Sequence, residues 1–259
     1  MAVATLSIPS QAMCRPMPVT ALLPDQGTPA GVLYLLHGFS DCHATFIQNS
    51  NLVRYCDGLP LLVVMPEAGC SFYADSPAGL YWQFISQELP ACLNRWFRLP
   101  DNREQRFVGG ISMGGYGAVK WALQQPDMFS HAFLLAPVTD LPGICSNGFD
   151  RSIDENAPTR EALRLDRLFP QAVEGSNNDL YHLLHTVSAD QLPHFSIYTG
   201  SEDFLLADTR RFVQALEQKG LTVPLTTRPG IHGWDTWEPF LQDMIRRIAM
   251  QLSSFSQSM

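Results

Sequence analysis

The stretch Arg106 to Gly117, R-F-V-G-G-I-S-M-G-G-Y-G, leaves the rest of this chain the least freedom. Arg106-Phe107-Val108 is short and apolar and reads as a buried strand, and Tyr116 to Gln125 reads as a helix that Pro126 stops. Between them Gly110-Ile111-Ser112-Met113-Gly114 fits G-x-S-x-G, a strained strand-to-helix turn that leaves its serine hydroxyl exposed. Glycines flank the serine because a backbone that reverses so quickly needs positions without a Cβ. A strand that feeds a helix in this way calls for a sheet with helices packed against it.

The remaining pattern supplies that sheet. Gly31–Leu36 and Leu61–Met65 are continuous apolar runs, as expected of parallel strands buried on both faces. Further strands are predicted at Ala132–Ala136, Phe195–Thr199 and Val223–Thr227, and the proline-interrupted segment Thr5–Leu23 reads as edge strands. Helices are predicted at Thr45–Tyr55, at Ala207–Lys219, and along the stripe Trp237, Phe240, Leu241, Met244, Ile245, Ile248 and Leu252. Trp82, Ile85, Leu89, Leu93 and Trp96 mark another helix face, with Pro90 expected to kink or break it. Between Pro137 and Pro193 the pattern loosens around two short helical stretches, near Thr159–Leu168 and Leu180–Val187. This segment has too few apolar residues for its own core and reads as a cap-like insertion over the end of the sheet. Strands alternating with helices imply one α/β domain over residues 1–259, with a mostly parallel central sheet covered on both faces. Ligands in such sheets bind at the carboxyl ends of the strands, where Gly38-Phe39-Ser40 and Ile111-Ser112-Met113 both fall.

Charge narrows the partners. With 17 Lys plus Arg against 25 Asp plus Glu, the chain lacks the basic footprint of a nucleic-acid or anionic-membrane binder. The first residues have no basic n-region or sustained apolar core, and no apolar run is long enough to span a membrane, so a soluble cytoplasmic protein is expected. Its six cysteines are scattered without metal-ligand spacing and are expected to be free thiols, mostly buried.

Serine is a weak nucleophile at its ordinary pKa, so Ser112 needs a base, and the base needs a group to orient it. In the α/β-hydrolase arrangement these follow in the order Ser, Asp or Glu, His. Asp203 follows the strand Phe195–Thr199 and His232 follows the last strand, which puts both on the same rim as Ser112. Glu202 and Asp208 are reserve candidates for the acid. His131 opens a strand and so lies at the wrong end of the sheet, His182 and His185 read as a solvated helix face and not a metal pair, and His37 and His43 read as structural or rim residues. Charge developing on an attacked carbonyl oxygen should meet two backbone N–H groups, from Met113 and from Phe39 in the loop after Gly31–Leu36. Among the aromatics, Trp234, Tyr73 and Phe72 are the candidates to line a substrate pocket, while Trp82 and Trp237 fit helix cores better.

With these residues assembled, the chain resembles the esterase D-like branch of the α/β-hydrolases, and most closely the bacterial tributyrin esterases. The resemblance runs through L-Y-L-L-H-G (Leu33–Gly38), L-V-V-M-P (Leu62–Pro66), Y-A-D-S (Tyr73–Ser76), E-L-P (Glu88–Pro90), G-I-S-M-G-G-Y-G (Gly110–Gly117) and H-G-W-D-T-W (His232–Trp237). It implies hydrolysis of short-chain acyl esters through an acyl-enzyme, a triad of Ser112, Asp203 and His232, no metal or cofactor, a small-molecule ester substrate, and a homo-oligomer. Two departures stand out. His37-Gly38-Phe39-Ser40-Asp41 replaces the family's H-G-x-x-G, so the loop loses a glycine and gains a carboxylate. The G-L-T-C loop of S-formylglutathione hydrolases is absent, which lowers a thioesterase reading. Acyl transfer to an alcohol remains open, and a non-enzymatic binding scaffold is disfavoured because nucleophile, base and oxyanion glycine are all in place.

Overall fold

The computed structural model describes residues 1–25 and 27–257. Eight strands form one sheet. β1 (Ala2–Ser10), β2 (Arg15–Leu23), β3 (Gly31–Leu36) and β4 (Leu61–Pro66) build one half of it. A two-stranded ribbon, β5 (Asp75–Ser76) and β6 (Gly79–Leu80), lies apart, and β7 (Arg106–Ile111), β8 (His131–Leu135), β9 (His194–Gly200) and β10 (Leu225–Arg228) complete the sheet. The order is β1-β2-β4-β3-β7-β8-β9-β10. Only β1–β2 and β2–β4 pair antiparallel, and every other neighbouring pair is parallel. β2 is therefore internal, contrary to the edge reading of its prolines. Only Val19–Leu22 of β2 pairs with β4, so Pro16 and Pro18 precede the doubly paired stretch and no ladder there loses a donor to them.

Alternation along the buried strands sends side chains to two cores. Val32, Tyr34 and Leu36 of β3 join one, and Leu33 and Leu35 join the other. The second core is covered by α1 (Thr45–Asn49), α2 (Leu52–Cys56) and the final helix, whose whole predicted stripe from Trp237 to Leu252 is buried. The predicted helix over Thr45–Tyr55 divides at Ser50, which has an extended backbone and whose hydroxyl donates to Phe46 O at 2.5 Å.

The first core is covered by α3 (Tyr81–Gln83), a π-turn over Phe84–Glu88, α4 (Leu89–Phe97) and α5 (Met113–Gln124). Pro90 does not break this helix. The wider turn before it makes room for the ring, and Ser86 O, the carbonyl one turn back from Pro90, accepts from Gln125 Nε2 at 3.4 Å. Trp96 was expected on the buried stripe, yet the last turn of α4 leaves it half exposed.

The segment after β8 holds α6 (Leu141–Asn147), α7 (Arg160–Leu163), α8 (Leu165–Leu168) and α9 (Leu180–Thr186). α6 falls where a loop is predicted. Its signal is Asp140, whose carboxylate caps Gly143 N–H at 2.8 Å, followed by Pro142 in the first turn. Leu141, Ile144, Leu163, Leu165, Leu180 and Leu184 of this segment join the core on that face of the sheet. α10 (Leu206–Gln218) and α11 (Trp234–Gln257) complete the helices. All six cysteines are free thiols, but only Cys56 and Cys92 are buried and Cys14 and Cys70 are exposed, so most do not serve as core hydrophobes. No helix among the described residues is long and apolar enough to cross a membrane.

Candidate active site

β3 and β7 are hydrogen-bonded neighbours, with Leu36 opposite Gly110, so the loops leaving their carboxyl ends lie side by side. Ser112, between β7 and α5, adopts φ 53° and ψ −115°, a backbone state that costs a non-glycine residue about 1–3 kcal/mol. Surrounding bonds hold it there. Its N–H donates to Leu135 O at 2.9 Å, and its carbonyl accepts from Tyr116 and Val138 N–H, both at 3.1 Å. The flanking glycines follow from close approach. A Cβ on Gly110 would lie 2.3 Å from Gly114 O, and one on Gly114 would lie 2.0 Å from Leu36 O.

The structure brings the predicted triad together. Ser112 hydroxyl donates to His232 Nε2 at 2.9 Å, and His232 Nδ1–H donates to Asp203 Oδ2 at 2.8 Å. This assigns the tautomer with the proton on Nδ1, which leaves the Nε2 lone pair facing the serine. Asp203 is 2% exposed, and its other oxygen accepts from Leu205 N–H at 2.9 Å, so the carboxylate is held on both sides. The His232 ring sits between Phe204, 4.6 Å away, and the edge of Trp237, 4.8 Å away. Glu202 is exposed, and Asp208 lies in the first turn of α10 bonded to Arg211, so neither reserve acid takes part.

The triad opens into a cavity of about 420 Å³ bordered by Phe39, Met113, Phe72, Trp234 and Trp237 among others. The N–H groups of Phe39 and Met113 have no acceptor among the described residues, whereas that of Gly38 donates to Asp41 Oδ2 at 3.1 Å. Met113 is also the first residue of α5, so its N–H carries the partial positive charge of a helix N-terminus. Burial pushes the Asp41 carboxyl above its ordinary pKa.

One expectation about the pocket changes. Tyr73 does not line it: the side chain is fully buried beneath, its hydroxyl donating to His37 O at 2.9 Å. Trp237 packs in the core as expected, 7% exposed, and in addition borders the cavity. Trp82 packs away from the site, against Trp121 and under the Lys120 ammonium. His37 is structural, as read: Nδ1–H donates to Gly38 O at 2.8 Å and Nε2 accepts Ala68 N–H at 3.0 Å. Burial holds it neutral, with its pKa below the ordinary value. His131 bonds Ser196 Oγ at the far end of the sheet.

Beneath the pocket Lys120 is fully buried and donates to Tyr73 O at 2.9 Å and Asn178 Oδ1 at 2.8 Å, and its pKa is lowered to about 7 by burial. Lys120 therefore ties α5 to the loop that carries Phe72, and no sequence pattern marked it. Phe149, Asp154, Leu163 and Phe204 also border the cavity and were missed, because the first three come from the loosely patterned segment after β8. A wider groove of about 640 Å³ along α11 holds no nucleophile beside a base.

Residues 10–248 match the esterase family described as "Putative esterase". An acetyl esterase of Caldicellulosiruptor saccharolyticus is 26% identical over 219 residues, covering 81% of this chain and 79% of its own. Among solved structures, the substrate-bound Staphylococcus aureus fluorophosphonate-binding serine hydrolase FphF superposes with TM-score 0.83 at 27% identity, covering 96% of this chain and 98% of its own. The S-formylglutathione hydrolase FrmB of the same organism superposes with TM-score 0.81 at 28% identity, over 96% and 98% of the two chains. With its mostly parallel sheet, its serine on the strand-to-helix turn and a family match across nearly its whole length, this chain belongs to the esterase family, carboxylic ester hydrolases on the α/β-hydrolase fold.

Proposed function

We propose that the protein is a serine carboxylesterase that hydrolyses short-chain acyl esters through an acyl-enzyme on Ser112. The observation that carries this reading is the unbroken chain Ser112–His232–Asp203, with its two bonds of 2.9 and 2.8 Å, beside two unengaged N–H groups. As Ser112 Oγ attacks the ester carbon, its proton passes to His232 Nε2, and Asp203 stabilises the imidazolium that forms. The N–H groups of Phe39 and Met113 receive the oxyanion, each worth about 3 kcal/mol of transition-state stabilisation by analogy with other such sites. Collapse breaks the acyl–alcohol bond, and the alcohol leaves with the proton from Nε2. Water then adds to the acyl-serine and gives a proton to His232 Nε2; collapse breaks the acyl–Oγ bond, Ser112 Oγ takes that proton back, and the acid is released.

The resemblance of its motifs to those of tributyrin esterases, the acetyl esterase relative and the aromatic walls of Phe39, Phe72 and Trp234 support short acyl groups. The second reading, thioester hydrolysis of the S-formylglutathione type, is favoured by the likeness to FrmB. Initial rates on p-nitrophenyl acetate, butyrate and octanoate and on S-formylglutathione separate the two. Fast turnover of the short oxygen esters, lost in a folded Ser112→Ala variant, is expected. Dominant S-formylglutathione turnover would favour the second reading, and full activity of Ser112→Ala would overturn both. Product ratios in excess alcohol show whether an acceptor other than water takes the acyl group.

A further inference from the structure

The charge around the cavity is one-sided. Asp41 and Asp154 border it with carboxylates, His232 is the remaining ionisable side chain on its wall, and no Lys or Arg does so. Neither carboxylate has a cationic partner among the described residues. Both are held in place by backbone. Asp41 Oδ2 accepts Gly38 N–H at 3.1 Å, and Asp154 Oδ1 accepts Asn156 N–H at 2.9 Å. They reach the cavity from different segments, the loop after β3 and the segment between α6 and α7, so a bound molecule lies in the field of both.

We propose that Asp41 and Asp154 make the site selective for esters whose departing alcohol or thiol is neutral or cationic, and that they disfavour anionic ones such as glutathione thioesters. The inference rests on the serine-hydrolase reading above. The short acyl half carries no charge, so this selectivity falls on the departing group. A unit charge roughly 8 Å from one carboxylate in a water-rich cavity changes binding about two- to fivefold. With two carboxylates, and a change of sign between cation and anion, the ratio multiplies to on the order of tenfold or more. Added salt should compress it, because the mouth is open to solvent.

Three acetyl thioesters of matched shape provide the test: S-acetylthiocholine, its neutral carbon isostere S-(3,3-dimethylbutyl) thioacetate, and S-acetyl-2-mercaptoethanesulfonate. Each kcat/KM is divided by the compound's own hydroxide-catalysed rate. At low salt the order cation, neutral, anion is expected, spanning about tenfold or more, with a narrower span in 0.5 M NaCl and in Asp154→Asn. The salt series keeps the test decisive if that variant does not fold. Neutral turnover accompanied by equal or faster turnover of the anionic ester at low salt would overturn the proposal and leave the hydrolase reading intact. Absence of Ser112-dependent turnover of all three would overturn the hydrolase reading, and this inference with it.

Discussion

Replacing Gly114 by alanine tests whether the turn around Ser112 is fixed by backbone contact. The new Cβ would stand 2.0 Å from Leu36 O, 2.4 Å from Leu36 C and 2.7 Å from His37 O. These are main-chain atoms, and Leu36 lies in a strand bonded on both sides, so no side chain can swing away to make room. Real Cβ contacts stay beyond 3.0 Å, so α5 and the end of β3 must separate by about 1 Å. Overpacking of this kind costs up to about 3 kcal/mol, which in a chain of this size lowers Tm by roughly 6–12 °C. The same displacement parts the Met113 N–H from that of Phe39, and a misplacement of about 1 Å at a reacting centre costs on the order of 100-fold in rate. Thermal unfolding and kcat on p-nitrophenyl acetate measure the two effects. Gly233→Ala is the control for stability alone, since its Cβ meets nothing within 4 Å although the residue borders the cavity. A Gly114→Ala protein with unchanged Tm and kcat, or with a Tm no lower than that of Gly233→Ala, would refute the reasoning.

Other perturbations probe the rest of the site. Asp203→Asn turns an N–H toward His232 Nδ1 and favours the wrong tautomer. A fall in kcat of about 10⁴ with little change in KM is expected, and a loss under tenfold would remove Asp203 from its role. The folded-state pKa of Lys120 lies near 7, below its ordinary 10.5. Between those values the unfolded chain therefore binds more protons, and stability rises with pH by at most about 1.4 kcal/mol per unit. Denaturant unfolding of wild type and Lys120→Met from pH 7 to 8.5 should show that slope in the wild type alone, and parallel curves would contradict it. Trp234 packs edge-on against Phe46 and Trp237, with centroids 5.6 and 5.5 Å away. Trp234→Ala should raise the octanoate-to-acetate rate ratio about tenfold or more, because each accommodated methylene is worth roughly 1 kcal/mol or more. An unchanged ratio would place the acyl group elsewhere.

The triad and the sheet were legible because their constraints are local. G-x-S-x-G is dictated by contacts within one turn, and the apolar runs of β3, β4 and β7 are dictated by burial on both faces, so residues close in sequence carry the signal. Asp203 and His232 were found for the same reason, each following a strand that ends on the serine's rim. The pocket was legible only in part: Phe72 and Trp234 border the cavity as expected, and Tyr73 does not. Tyr73 and Phe72 are adjacent and both aromatic, yet one is buried beneath the site and the other borders the cavity. Two successive residues with φ near 50° decide this, and no periodicity encodes such a state.

By itself, then, the sequence determined the alternation of the main strands and helices, though not α6 or the β5–β6 ribbon, together with the serine turn and the residues that meet it, since each follows from spacing and residue type. Tertiary structure alone decided that β2 is internal, that Lys120 ties α5 to the loop of Tyr73, and that Asp154, Phe149 and Leu163 border the same cavity as the serine. The physical reason is range. These contacts join segments tens of residues apart, and which side chains meet there is set by how the sheet and its covering helices pack.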